Sequence, residues 1–264
     1  MNLVEAEPGV RLHVQDLGGG SPVVLLAGFG LSHTVWDRQV RVLTGAGRRA
    51  VCVDLRGTGG SDKPLGGYGV ERLAADVEAV LDALGLDRVA LVGWSFGGQV
   101  GFRLAAAGRV ERLVLVTSNG VRASRSEAFP FGAPADAVEP RLVEAEHADR
   151  LAARRATVAS GFRPPAPAHV VDHLVQVQLA MPSWAAVASY RSYLRSDLSH
   201  LLDEVRVPVV QVMGADDPVM PLRGAAWLQE RLADGRLVVL EGCGHYPMFE
   251  VPDAFDAALL DALP

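Results

Sequence analysis

The clearest chemical signal in the chain surrounds one serine: Gly93-Trp94-Ser95-Phe96-Gly97-Gly98, directly after the apolar run Val89 to Val92. A G-x-S-x-G spacing between a strand and a helix predicts a sharp, strained turn that lifts the serine hydroxyl clear of a sheet. Strand and helix come so close at such a turn that a side chain two positions either side of the serine would collide with backbone. The competing reading is a glycine-rich turn with a bystander serine, and the partners available to Ser95 decide between the two.

An alcohol is a poor nucleophile at neutral pH, so Ser95 needs a base within hydrogen-bond reach, and the imidazole pKa suits that role. His13 and His33 precede the serine, and His147, His169, His173 and His200 fall in a segment of different patterning, whereas His245 stands in Gly242-Cys243-Gly244-His245, directly after the last strand-like run. The C-terminal strand ends of a parallel sheet share one edge, so a loop there can face Ser95. A triad also needs a carboxylate that holds the imidazole tautomer, placed after a strand and between serine and histidine in chain order. Gly214-Ala215-Asp216-Asp217-Pro218 supplies it, with Asp217 preferred and Asp216 left open. The oxyanion of a tetrahedral intermediate needs two backbone N–H donors, one from the residue after the nucleophile and one from the loop after an earlier strand. Those are the amides of Phe96 and of Phe29 in Ala27-Gly28-Phe29-Gly30.

The elements that must position these residues are legible as periodicity. Val23 to Leu26, Ala50 to Val53 and Val89 to Val92 are nearly uninterrupted apolar runs, as expected for strands covered on both faces. Leu73, Val77, Val80, Leu81 and Leu84 recur at helical spacing and stop at Gly85. The alternation continues with a helix over 98–107, strands over 113–116 and 209–213, a helix over 224–232, a strand over 237–240 and a helix over 254–263. This pattern predicts an α/β fold with a doubly wound, mainly parallel sheet built from residues 1–117 and 208–264. Between them, residues 118–207 break the alternation with helical patterns and prolines, and read as an inserted helical cap.

Composition excludes several alternatives. The 264 residues, 49% hydrophobic and 21% charged, are long and apolar enough for a substantial core. A net charge of −6 leaves no excess for holding nucleic acid. The longest N-terminal apolar run, Val23 to Ala27, is far short of the roughly 18 residues of a membrane span, and Glu5 and Glu7 stand where a signal peptide would be basic or apolar. A cytoplasmic location is expected, with Cys52 and Cys243 reduced. Lys63 is the only lysine and lies beside Pro64, which discounts Schiff-base chemistry.

On these motifs, together with Asp54-Leu55-Arg56-Gly57-Thr58-Gly59-Gly60-Ser61 and His245-Tyr246-Pro247, the chain resembles α/β-hydrolase-fold proteins over essentially its whole length. It is most similar to the branch of serine esterases, arylesterases, enol-lactonases and haloperoxidase-like perhydrolases. In that family the acidic member commonly stands three residues after the glycine, which supports Asp217. The resemblance implies a cofactor-independent hydrolase of a small to medium carboxylic ester, lactone or thioester, with C–C bond hydrolysis, perhydrolysis or a non-catalytic binding role as alternatives. Ser95 sets it apart from relatives that use an aspartate nucleophile. Two departures stand out: Ala27 replaces a histidine that often precedes the glycine, and Gly30 replaces a proline frequent in perhydrolases.

The rest of the chain offers weaker signals. Phe129, Phe131, Met181, Trp184 and Tyr190, with Tyr193, give the cap apolar surface that can roof an acyl pocket. Arg150, Arg154 and Arg155 either grip a carboxylate or an acyl carrier protein, or lie on a solvated helix face. His169 and His173 stand four apart, yet without a third ligand or an adjacent glutamate they read as a solvated helix face, and no metal is expected. The turn carrying Asp54 and Arg56 reads as structural.

Overall fold

Strand formation follows the apolar runs closely. A computed structural model describes residues 2–264. Its strands are β1 (Asn2–Glu7), β2 (Val10–Gly18), β3 (Pro22–Leu26), β4 (Arg49–Val53), β5 (Val89–Trp94), β6 (Val110–Val116), β7 (Val209–Gly214) and β8 (Gly235–Leu240). They form one sheet in the order β1-β2-β4-β3-β5-β6-β7-β8, parallel from β4 to β8 and antiparallel where β2 meets β1 and β4. The hairpin β1–β2 is not predicted by the periodicity, because β1 alternates glutamates with small apolar residues and β2 ends in a polar, exposed stretch.

Strand pleating sends successive side chains to opposite faces, and the core divides accordingly. Val24, Leu26, Val89 and Leu91 join one apolar cluster, and Val23, Leu25, Ala90, Val92 and Trp94 the other. The helices covering the two faces are α1 (Asp37–Gly45), α2 (Val70–Ala83) and α3 (Phe96–Ala106), with others later in the chain. α2 and α3 contribute Leu73, Val77 and Val100 to the first cluster, while α1 contributes Leu43 to the second. Each such side chain stabilises the fold by roughly 1.5–3 kcal/mol through removal of apolar surface from water.

Between β6 and β7 the chain leaves the sheet through α4 (Ala135–Ala148), α5 (Arg150–Gly161), α6 (Ala168–Gln178) and α7 (Ser183–Arg195). It returns through β7, after which α8 (Leu222–Gln229) leads to β8, and the short α9 (Pro247–Glu250) and α10 (Pro252–Ala262), whose Phe255 and Leu259 complete the second cluster, end the chain. Polar ties as well as apolar packing fasten the four inserted helices. Glu146 of α4 and Arg154 of α5 form a fully buried ion pair, Nη2 to Oε1 2.6 Å, and Ser183 at the start of α7 donates to the same carboxylate at 2.9 Å. Arg154 also donates to the Gln178 carbonyl at the end of α6. A solvated face for Arg154 is thereby corrected, since its charge is neutralised inside the helix bundle.

Asp54 closes the other side of the site's foundations. Its carboxylate accepts from the His33 and Gly60 amides (2.6 and 2.9 Å) and from His33 Nδ1 (3.0 Å), with His13 Nδ1 3.2 Å away. These contacts tie the turn after β4 to the loop that carries His33 after β3 and bring it against β2. Burial works to raise the Asp54 pKa, but the bonds from His33 and Gly60 outweigh it and hold the group below the ordinary carboxylate range. His33 is raised in turn, chiefly by its bond to Asp54 and against the effect of burial. Arg56 and Asp76 form a second buried pair beneath the same turn. Among the described residues no helix is long and apolar enough to cross a membrane.

Candidate active site

Ser95 sits between β5 and α3 with φ 53° and ψ −116°, a left-handed conformation that costs a non-glycine residue strain. The turn is as tight as its glycines imply: a Cβ built at Gly93 would lie 2.6 Å from the Gly97 carbonyl oxygen, and one at Gly97 would lie 2.5 Å from that of Leu26. The strain is held by the Ser95 amide donating to Val116 of β6 (2.9 Å) and by the Ser118 hydroxyl donating to the Ser95 carbonyl (2.8 Å).

His245 follows β8 and reaches back across the sheet edge. Its amide donates to the Gly161 carbonyl (2.8 Å), and its carbonyl accepts from Trp94 Nε1 (3.0 Å) and the Thr117 hydroxyl (3.1 Å). The ring then lies with Nε2 2.9 Å from Ser95 Oγ and Nδ1 2.8 Å from Asp217 Oδ2. An ionised carboxylate can only accept, so Nδ1 carries the proton and Nε2 presents its lone pair to the serine hydroxyl. Asp217, its side chain fully buried, is fixed by the Val219 and Met220 amides donating to its other oxygen at 2.7 and 3.0 Å. Asp216 turns outward and pairs with Arg163, so of the two aspartates it is Asp217 that meets the histidine.

A cavity of about 750 Å³ opens above Ser95 and His245. Gly28, Phe29 and Trp94 line its floor, while Val138, Leu142, Thr157, Ser160, Gln178, Tyr190, Tyr193 and Leu194 from α4 to α7 form its roof. The Phe29 ring stacks on Tyr190 at 4.2 Å, and the Phe96 ring meets Tyr193 edge-on at 5.6 Å. Burial pushes the Tyr190 hydroxyl up to about 12. Tyr193 is also pushed up, by burial first and then by the charge of Asp217, with the neighbouring Ser95 hydroxyl working the other way.

Of the residues expected to wall the pocket, Tyr190 and Tyr193 line it and four do not. Phe129 is fully buried in the core between Phe131 and Trp227 (5.0 and 5.2 Å), so neither it nor Phe131 faces the cavity. Met181 packs with Tyr68, Ala185 and Ala186 in a separate cluster. Trp184 remains 49% exposed, its Nε1 donating to the Pro64 carbonyl at 3.3 Å. Gln178 was not singled out by sequence, although it stands at the i+7 position of the stripe Val171, Leu174, Val175, where an amide must be buried. His169 and His173 are exposed on the same helix. Cys243 is buried and free, and burial pushes its thiol up to about 12, which leaves it inert as a nucleophile.

Residues 21–252 match the family model described as alpha/beta hydrolase fold. The chain belongs to the alpha/beta hydrolase fold family. It is 34% identical to a pimeloyl-[acyl-carrier protein] methyl ester esterase of Aromatoleum aromaticum, covering 90% of this chain and 95% of that one. It is 31% identical to a putative non-heme chloroperoxidase of Synechocystis sp., covering 96% and 95%. Among solved structures, an esterase from Exiguobacterium antarcticum superposes with a TM-score of 0.94 at 26% identity, covering 98% and 97%. The esterase and haloperoxidase-like branch of these hydrolases is therefore the chain's setting.

Proposed function

We propose that this hydrolase cleaves a small to medium carboxylic ester, lactone or thioester through an acyl-enzyme on Ser95. The observation that carries the reading is the continuous hydrogen-bonded line Ser95–His245–Asp217, 2.9 and 2.8 Å, at the floor of a largely apolar cavity. Ser95 Oγ attacks the acyl carbon as its proton passes to His245 Nε2, and the carbonyl electrons move onto oxygen. The amides of Phe29 and Phe96 stabilise that oxyanion. Collapse of the intermediate expels the alcohol or thiol, which takes the proton from His245. Water then gives a proton to His245 and attacks the acyl carbon, and the second collapse releases the acid and returns the proton to Ser95. Asp217 stabilises the imidazolium formed at each attack.

The chain positions of the two amides support that role. Phe96 opens α3, so its N–H has no acceptor one turn earlier in the helix. Gly28 brings the oxyanion loop against the nucleophile, since a Cβ there would stand 3.2 Å from Ser95 Cβ. A peroxide replacing water in the second half would give a peracid instead, a reading favoured by the chloroperoxidase name of the Synechocystis relative. An acyl group delivered on a carrier protein also fits, as the Aromatoleum relative's name indicates for that protein. Carrier recognition would then fall to residues other than the three arginines, because Arg150 donates to the Leu179 and Met181 carbonyls, Arg154 is buried against Glu146, and Arg155 pairs with Asp172.

The test is hydrolysis of p-nitrophenyl esters from acetyl to dodecanoyl, with a peroxide-dependent assay run in parallel. A chain-length optimum in wild type, lost in Ser95→Ala, supports the reading. Failure on every ester, or full activity in Ser95→Ala, contradicts it.

A further inference from the structure

The loop that carries the Phe29 amide, Ala27-Gly28-Phe29-Gly30, has no polar side chain of its own. Its turn is closed by the Leu31 amide donating to the Gly28 carbonyl at 3.1 Å, with Gly30 at φ 69° in the third position, as a type II turn requires. That bond sets the Gly28–Phe29 peptide, and so the Phe29 N–H, relative to the rest of the turn, but it does not tie the turn to the body of the protein. Something outside the loop must fix it.

Gln178 does so from the inserted helices. It is 4% exposed, and its Nε2 donates to the Phe29 carbonyl at 3.1 Å. A backbone carbonyl only accepts, so the atom facing it is the amide nitrogen, and the orientation of the side chain is settled. The stem packs on the same turn: a Cβ built at Gly30 would lie 3.3 Å from Gln178 Cγ. Gln178 Oε1 has no partner within the protein. The backbone of Gln178 is anchored in turn by Arg154, itself locked to Glu146.

We propose that Gln178 is the positioning residue of the oxyanion site: by gripping the Phe29 carbonyl it holds the turn, and with it the Phe29 amide, where the developing oxyanion needs its donor. The inference rests on the acyl-enzyme reading above. It makes the inserted helices a determinant of rate as well as of fit, through the line Glu146, Arg154, Gln178, Phe29.

The experiment uses Gln178→Met, which keeps the stem and removes the donor, and Gln178→Glu, whose carboxylate would repel the Phe29 carbonyl. Each is checked for a wild-type melting temperature. kcat and KM are measured on one p-nitrophenyl ester, together with the affinity of an alkylboronic acid, which becomes tetrahedral on the serine and puts an oxygen in the oxyanion position. The expected result is a fall in kcat of about 10-fold or more, below the 10²–10³ of deleting a direct donor, with KM nearly unchanged and boronate affinity falling in parallel with kcat. Inhibition by the product carboxylic acid stays at the wild-type level. Two results overturn the inference: kcat and boronate affinity that stay at wild-type levels in both variants, or a loss confined to KM and melting temperature. Ser95→Ala is run alongside. Turnover that survives it, or a wild type that fails to bind the boronate, overturns the acyl-enzyme reading itself and this inference with it, a pattern distinct from the other two.

Discussion

The sheet edge and the helices above it meet at one cavity but are built by different rules. Ser95, Asp217 and His245 stand on turns that follow β5, β7 and β8, so their convergence comes from the parallel order of strands whose core is almost wholly apolar. The inserted helices are fastened by apolar packing and, in addition, by buried polar groups, chiefly Glu146, Arg154 and Gln178. In the proposed reading, backbone topology supplies the nucleophile and its base, while side-chain ties between α4, α5 and α6 supply the walls and the hold on the oxyanion loop.

The largest expected difference is in turnover. Ser95→Ala or His245→Ala should lower ester hydrolysis by about 10³-fold or more with the melting temperature retained, as expected for members of a triad that act as a unit. Stability should show the reverse weighting. Arg154→Met leaves the Glu146 carboxylate buried without its partner and is expected to cost about 3–5 kcal/mol in denaturant unfolding. Arg155→Met, which breaks a solvent-exposed pair with Asp172, should shift the midpoint little. If both variants unfold alike, the inserted helices are not held by their buried pair.

Fit should separate the residues that face the cavity from those that do not. Tyr190→Ala removes the ring stacked on Phe29 and should raise KM by about 10-fold, whereas Trp184→Ala should leave it within about 2-fold. Equal effects would place the cavity elsewhere on the roof.

The smallest effect expected is a pH dependence of stability from the loop tie at Asp54. His33 is raised above 6.5, so its contribution is complete below about 6.5 and is lost as pH rises through the raised value. Asp54 is lowered below 3.8, so its contribution is present above 3.8 and is lost as pH falls through the lowered value. Melting temperatures of wild type and His33→Gln should therefore differ most between these limits and converge at higher pH. A difference that is flat with pH would show that His33 acts there without its charge.

What could be read from sequence follows the same division. Apolar runs ending in glycine or aspartate mark β3, β5 and β7, and chain order then limits which histidine and carboxylate can reach Ser95. The hairpin β1–β2 lacks such a run, because an edge position needs only one apolar face. The pocket wall was least legible. Phe129 is as aromatic as Tyr190, but α8, about a hundred residues further along the chain, brings Trp227 against it and draws it into the core. Gln178 left a trace, an amide within an apolar stripe, that announces a buried partner without naming it.

The central claim is that Ser95 carries the acyl group during turnover, and the most direct measurement is the intact mass of enzyme quenched while hydrolysing a slow ester. One added acyl group per chain, located on the peptide containing Ser95 and absent from Ser95→Ala, is the predicted result. Turnover with no acylated chain, or with the acyl group on another residue, would contradict it.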